Sequence, residues 1–279
     1  MAITSVQVKQ LREKTGAGMM DCKRALEESG GDMEKAIEYL RKKGAATAEK
    51  RAGKMAKEGV IVTHVAENKK RGVIVEVNCE TDFVARGENF MTFANSVAKV
   101  VEEHQPTTAD QLLLLSASGG AKISEMLNDL LSKVGEKVEV RRFVVLDTSN
   151  GTIGAYTHMG SKIGVIVEIG GIGSGRDGEI LSRDVAMQIA AMDPQYLQRD
   201  DVPKELLERE MDIYRTQARN EGRPDEVIER IAAGKLEKFL QETCLLEQTF
   251  IKDAGKTVKE LLGSMASIRR FYRYHLGEN

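Results

Sequence analysis

Apolar positions along the chain follow two different spacings. Through residue 43 they recur every three or four positions: Val8 and Leu11, then Met19, Cys22, Ala25 and Leu26, then Met33, Ala36, Ile37 and Leu40. This is the spacing of helices with one buried face. Thr4 and Gln7 stand where a capping box opens the first helix, with Ile3 and Val8 as its hydrophobic staple. Gly16 and Gly18 break the first helix from the second, Gly30-Gly31 ends the second, Asp32 caps the third and Gly44 ends it. Residues 1–43 therefore predict a compact three-helix module. Residues 44–58, AATAEKRAGKMAKEG, hold almost no large apolar side chain and predict an exposed helical linker. Its basic run is a weak candidate for touching RNA, and a solvated connector is the plainer reading.

From residue 59 the pattern becomes that of strands, and it repeats. GVIVEV at 72–77 recurs as GVIVEI at 164–169, 92 residues later. In an ungapped alignment at that offset Gly59 and Ile61 match Gly151 and Ile153, Lys70 matches Lys162, and Ala94 and Ala98 match Ala186 and Ala190. Each copy reads as strand, turn, strand, loop, helix, an antiparallel hairpin covered on one face by its helix. Helical patterns around Leu112–Leu115 and Met126–Leu131 and a strand from Val138 to Leu146 fill out the first copy.

Beyond the second copy, Leu207, Met211, Tyr214 and Ala218 form one helical stripe, and Ile228, Ile231, Lys235 and Phe239 another. Gly222 favours a turn between them and Pro224 suits the first position of the second helix, which predicts a projecting helical hairpin. The fold class is α+β. Its expected units are a three-helix module (1–43), a linker (44–58), a first core copy (59–147), a second core copy (148–201), an inserted helical hairpin (202–245) and a C-terminal segment returning to the core (246–279). The hairpin is a candidate homodimer surface and equally one that folds back on its own core.

Composition narrows the functional classes. With 41 basic and 43 acidic residues the net charge is −2, without the basic excess of a dedicated nucleic-acid binder. No long apolar run or signal-peptide pattern occurs, which predicts a cytoplasmic protein with no membrane association. Cys22, Cys79 and Cys244 form no CxxC pair, so neither a disulfide framework nor a zinc site is expected. The four histidines are scattered. GxxxxGK[ST], HExxH and GxSxG are absent, so no catalytic residues, metal or cofactor are expected, and the protein is read as not an enzyme.

One dinucleotide-like pattern, Gly173-Ser-Gly175-Arg-Asp-Gly178, follows a strand and precedes a helix. A Rossmann unit requires a parallel strand after that helix. Here the helix runs instead into Asp193-Pro194-Gln195-Tyr196, so a surface loop is the better reading. A stronger lead is the loop in which the two copies differ. Copy two has GIGSGRDG, whereas copy one has Thr81-Asp82-Phe83-Val84-Ala85-Arg86-Gly87, and the ungapped alignment sets Phe83 against Gly175. A phenylalanine there either packs inward, the usual case, or projects beside Asp82 as a carboxylate-plus-aromatic wedge for a protein partner.

Two stretches carry a family resemblance: Leu11-Arg12-Glu13-Lys14-Thr15-Gly16-Ala17-Gly18-Met19-Met20-Asp21-Cys22-Lys23-Arg24-Ala25-Leu26 and Glu76-Val77-Asn78-Cys79-Glu80-Thr81-Asp82-Phe83-Val84-Ala85-Arg86. With YTH at 156–158, AMxIAAMDP at 186–194 and KTVKELL at 256–262, the chain resembles bacterial elongation factor Ts along essentially its whole length. The resemblance implies a guanine-nucleotide exchange factor for elongation factor Tu, with no nucleotide bound by the factor itself. It also implies that the N-terminal module resembles a ubiquitin-associated fold and docks on the partner's nucleotide domain. Arg12, Met19 and Met20, around the Gly16–Gly18 turn, are then the expected contacts. Thr81, Asp82, Phe83 and Val84 match the segment that in the family disturbs the partner's magnesium site, and His158 matches a histidine that meets another partner domain. Met159 lengthens the usual spacing after that histidine, Gln188 stands where a histidine is common, and Gln248-Thr249-Phe250 replaces a usual Gln-Pro-Phe or Gln-Pro-Tyr. The alternative is a ubiquitin-associated-like adaptor or scaffold without exchange activity.

Overall fold

The computed structural model describes residues 3–51, 53–173 and 175–278. Ala52 of the 44–58 linker and Ser174 of the glycine-rich loop lie outside the described residues, as do the side chains at 45 and 47–50, so the RNA reading of the linker's basic run rests partly on undescribed positions. The chain is mixed, with helices and antiparallel sheets. Three helices come first: α1 (Ser5–Thr15), α2 (Met19–Glu28) and α3 (Met33–Arg51). Then follow β1 (Glu58–Val65), β2 (Arg71–Cys79), α4 (Asp82–Ala85), α5 (Glu88–His104), α6 (Ala109–Leu114), α7 (Ile123–Val134) and β3 (Val138–Asp147). The second half comprises β4 (Gly151–Thr157), β5 (Ile163–Gly170), α8 (Arg176–Met192), α9 (Lys204–Asn220), α10 (Asp225–Thr243), β6 (Thr249–Phe250), β7 (Asp253–Thr257), α11 (Val258–Leu262) and β8 (Ser267–His275).

Thr4 and Gln7 make the reciprocal capping box, and Gly16, in the left-handed region at φ 69°, closes α1. Leu11, Cys22, Ala25, Leu26, Ala36 and Leu40 form the small core of the three helices. The third helix does not stop at Gly44. It runs on to Arg51, because Gly44 serves for close approach rather than termination: a Cβ there would stand 2.3 Å from the Asn128 carbonyl oxygen and from Ser132 Oγ on α7. Ser132 Oγ also donates to the Leu40 carbonyl at 2.8 Å. The three helices are thereby seated on α7.

Two three-stranded sheets follow, in the orders β1-β2-β3 and β4-β5-β8, every pairing antiparallel. Alternation along the strands splits their side chains between two layers. Val60, Val62, Val73, Val75 and Val77 pack with Phe90, Phe93, Val97 and Val101 of α5. Ile61 and Ile74 face the other way and meet Ile153 and Ile166 of the second sheet, with Leu146 and Tyr274.

Contacts between the sheets come in reciprocal pairs. Ile61 N–H donates to the Ser161 carbonyl at 2.7 Å, and Ile153 N–H to the Lys69 carbonyl at 2.8 Å. Both acceptors lie in the left-handed region, at φ 54° and 58°. In each sheet the edge strand bulges opposite the buried glutamate of the central strand, at Arg141 of β3 beside Glu76 and at Arg269 of β8 beside Glu168. Arg141 and Arg142 hold the first glutamate, and Arg269 and Arg270 the second.

The helices correct the ungapped alignment. Gly87 caps α5 and Gly175 caps α8, and both helices end on a left-handed residue, Gln105 or Asp193. These positions are 88 residues apart, not 92, because α5 starts four residues later after its GVIVE strand than α8 does after the other. Four residues make about one helical turn, so Ala94 and Ala98 can be slid onto Ala186 and Ala190 without disturbing the apolar period. Gly175 therefore corresponds to Gly87, and Phe83 belongs to the extra turn, α4.

The glycine-rich loop is not a dinucleotide site of Rossmann geometry, since β5 pairs only with antiparallel neighbours. Helices α9 and α10 form the expected hairpin, turned at Gly222 (φ 72°), with Pro224 as the cap of α10 rather than its first residue. Among the described residues no helix is long and apolar enough to cross a membrane.

Candidate protein-docking site

The loop from Glu80 to Gly87 begins where β2 delivers Cys79 into the core. The Cys79 thiol donates to the Thr81 carbonyl at 3.1 Å. Burial, reinforced by the nearby Glu136 carboxylate, pushes this thiol up to about 12. It is a packed sulfur, not a nucleophile. Thr81 caps α4, its hydroxyl oxygen facing Val84 N–H at 3.5 Å. Val84 and Ala85 turn inward against the first core cluster. Phe83 points outward and is 85% exposed. The inward-packed reading of this aromatic is thereby excluded. Asp82, beside it, is half-exposed and pairs with the exposed Arg86 at 3.0 Å.

Two acidic residues hold the base of this turn. Glu136, between α7 and β3, accepts from Thr81 N–H at 3.0 Å and from Thr81 Oγ1 at 2.9 Å. Glu80 accepts from Lys137 N–H at 2.6 Å and from Arg51 Nη1 at 2.7 Å. Chiefly through the Lys137 N–H, and then through Arg51, the Glu80 carboxyl is held below its usual range. Sequence reading missed Glu136, Lys137 and Arg51 because no local pattern marks partners 29 to 57 residues away.

The other candidate residues also lie at the surface. Arg12 and Met19 border a groove along α1, with Val6 and Lys9. Met19 is exposed rather than core, and Met20 is more exposed still. His158 and Met159 occupy the exposed β4–β5 turn, and His158 Nδ1 lies 3.1 Å from the Tyr156 hydroxyl.

The fold links these patches through shared neighbours. Glu58 pairs with Cys79 in the β1–β2 register and binds Lys162 Nζ at 3.3 Å, so the 158–162 turn abuts the strand end that leads into the Phe83 loop. Lys133 lies under Gly16 and also borders a cleft with Glu88 and Asn89, in the turn of α5 that follows α4. Phe83, His158 and Met20 nonetheless project from three different elements and do not assemble a catalytic constellation.

Gln188 has a structural account. It is buried; its amide donates to Gln248 Oε1 and the Thr249 carbonyl, both at 3.1 Å, and its oxygen accepts from Ile251 N–H at 2.8 Å. A side-chain amide satisfies all three partners and anchors the C-terminal segment. Among the described residues no cluster of His, Cys, Asp and Glu suits a metal ion.

The profile of the family described as Elongation factor TS matches residues 80–278. The chain is 43% identical over 283 residues to elongation factor Ts of Clostridium botulinum (strain Alaska E43 / Type E3), covering 99% of this chain and 93% of that one. It is 46% identical over 285 residues to elongation factor Ts of Prosthecochloris aestuarii and 47% identical over 286 residues to that of Chlorobium phaeovibrioides, each alignment covering 99% of both chains. The similarity spans the helices, both sheets and the loop that carries Phe83, and the chain belongs to the elongation factor Ts family of translation elongation factors.

Proposed function

We propose that this translation factor binds elongation factor Tu and promotes release of its GDP, so that GTP can rebind. The observation that carries the reading is Phe83, an aromatic 85% exposed on a helical turn that the second sheet's loop lacks. Aromatic anchors at the centre of an interface are worth about 2 kcal/mol or more on truncation. A factor that binds the nucleotide-free partner more tightly than the nucleotide-bound one must, by linkage, weaken the nucleotide. No bond is made or broken and the factor needs no nucleotide, metal or cofactor of its own.

In this reading Asp82 redirects polar or charged groups that support the partner's magnesium, while Phe83 fills a gap between its helices. Thr81 and Val84 form the base. Arg12, Met19 and Met20 dock on the nucleotide domain, where methionine suits an adaptable contact, and His158 meets another domain. The three-helix unit is read as ubiquitin-associated-like. The two sheets are read as copies of a duplicated core, supported by their reciprocal hydrogen bonds and matching bulges. The α9–α10 hairpin remains a candidate surface for a second copy, and the setting is cytoplasmic. The test is release of fluorescent GDP from purified elongation factor Tu, with and without this chain. Acceleration at substoichiometric factor is expected; an unchanged rate refutes the reading.

A further inference from the structure

We propose that Glu136 is a positioning residue for Phe83, and that Arg51 extends the same clamp to the N-terminal helices. The proposal rests on the exchange reading and adds to it how the anchor is aimed. A four-residue helix cannot hold its own direction, since a single turn fixes several dihedrals for one hydrogen bond. Phe83, exposed as it is, gains no direction from packing. Its aim is therefore set by the seat of α4.

Val84 and Ala85 pack the turn against the core, and its leading end is fixed by an exchange of carboxylates between two short segments. Glu136 takes the backbone N–H and the hydroxyl of Thr81, at 3.0 and 2.9 Å. Glu80, the residue before Thr81, takes the backbone N–H of Lys137, the residue after Glu136, at 2.6 Å. Each segment thus offers one carboxylate and one N–H to the other. Hydrogen bonds to charged acceptors are the stronger kind, and these are partly shielded from water. Because the Thr81 hydroxyl proton goes to Glu136, its oxygen is left to face the α4 backbone as the cap. Arg51, the last residue of α3, closes the other side of Glu80 with its Nη1 at 2.7 and 2.8 Å from the two carboxylate oxygens. Since α3 is seated on α7 through Ser132 and Gly44, the clamp joins the Phe83 turn, the α7–β3 connection and the N-terminal helices.

A preorganised anchor spares binding the cost of ordering it. The patches that hold the partner, at Met20 and His158, lie on other elements and are untouched by Glu136. Glu136→Ala should therefore lower the maximal rate of catalysed GDP release about fivefold while leaving the half-saturating factor concentration within about twofold, the signature of an interaction realised in the rate-limiting state. Glu136→Gln keeps a carbonyl acceptor for Thr81 and should restore most of the rate. The decisive comparison is with Phe83→Ala. If Glu136 acts through Phe83, adding Glu136→Ala to Phe83→Ala costs nothing further, whereas a general structural role gives additive losses.

Four variants of the full chain, with melting temperatures recorded alongside, separate the outcomes. A slow Glu136→Ala, a restored Glu136→Gln and a non-additive double variant support the proposal. A slow Phe83→Ala with a wild-type Glu136→Ala overturns positioning and leaves the exchange reading standing. Wild-type exchange by Phe83→Ala overturns the anchor and the positioning proposal together. Should Glu136→Ala fail to fold, Thr81→Val, which removes the hydroxyl shared with Glu136, takes its place in the same cycle with the same expected non-additivity.

Discussion

Ile153 sits over Gly72, its Cγ2 only 2.5 Å from where a Cβ on that glycine would stand. Ile61 meets Gly164 in the same way, also at 2.5 Å. Each glycine is thus a notch in one sheet that receives an isoleucine of the other. Gly72→Ala should cost about 1–3 kcal/mol by overpacking. Ile153→Ala alone costs about 2–5 kcal/mol through the cavity it leaves. The two together should cost less than their sum, because the smaller side chain makes room for the new methyl. Denaturant unfolding of the four proteins checks this, and strict additivity would show that the notch does not matter.

Gly44 gives a prediction of unusual sign. In an exposed helix interior, glycine to alanine stabilises by roughly 0.5–1 kcal/mol. Here the added methyl would run into the Asn128 carbonyl and Ser132 Oγ, both 2.3 Å away. Gly44→Ala should instead destabilise the packing of α3 on α7, and limited proteolysis between the N-terminal helices and the core should quicken. Protection equal to or better than wild type would mean that α3 is not seated there.

Glu80 makes the loop's seat sensitive to acid. Its folded carboxyl is held below the ordinary 4.5 by the Lys137 N–H and by Arg51. A depressed carboxylate contributes stability that is fully present above its unfolded value and is lost as pH falls through the folded one. Glu80→Gln should therefore melt below wild type at pH 7, and the gap should close as the pH is lowered through and below 4.5. A gap that stays constant down to acid pH would show that the carboxylate's charge contributes nothing.

Local features of the fold were readable where a few neighbouring residues decide them. Thr4 with Gln7, and Gly222 before Pro224, mark helix ends because capping and turning are short-range. The repeated GVIVE strands show as strands because burial on both faces demands an apolar run. Gly44 was misread as a helix end because its partners, Asn128 and Ser132, lie more than eighty residues away, and glycine's two uses look alike in sequence. The 92-residue offset between the GVIVE strands fails at the helices that follow, because one extra helical turn preserves the apolar period. That same extra turn, α4, carries Phe83. The loop could be singled out by its divergence, whereas the exposure of Phe83 needed the structure. Glu136 left no local trace, since its value depends wholly on where α7 ends in space.

Phe83 is proposed as a contact for a partner and does not belong to the core. Release of fluorescent GDP from elongation factor Tu, measured with wild-type factor and with Phe83→Ala alongside the melting temperature of each, tests it most directly. At 85% exposure the side chain supports little of the core, so the melting temperature should stay within about 2 °C while catalysed release slows at least about tenfold. A variant that melts as wild type and releases GDP at the wild-type rate would show that Phe83 is not an anchor for the partner.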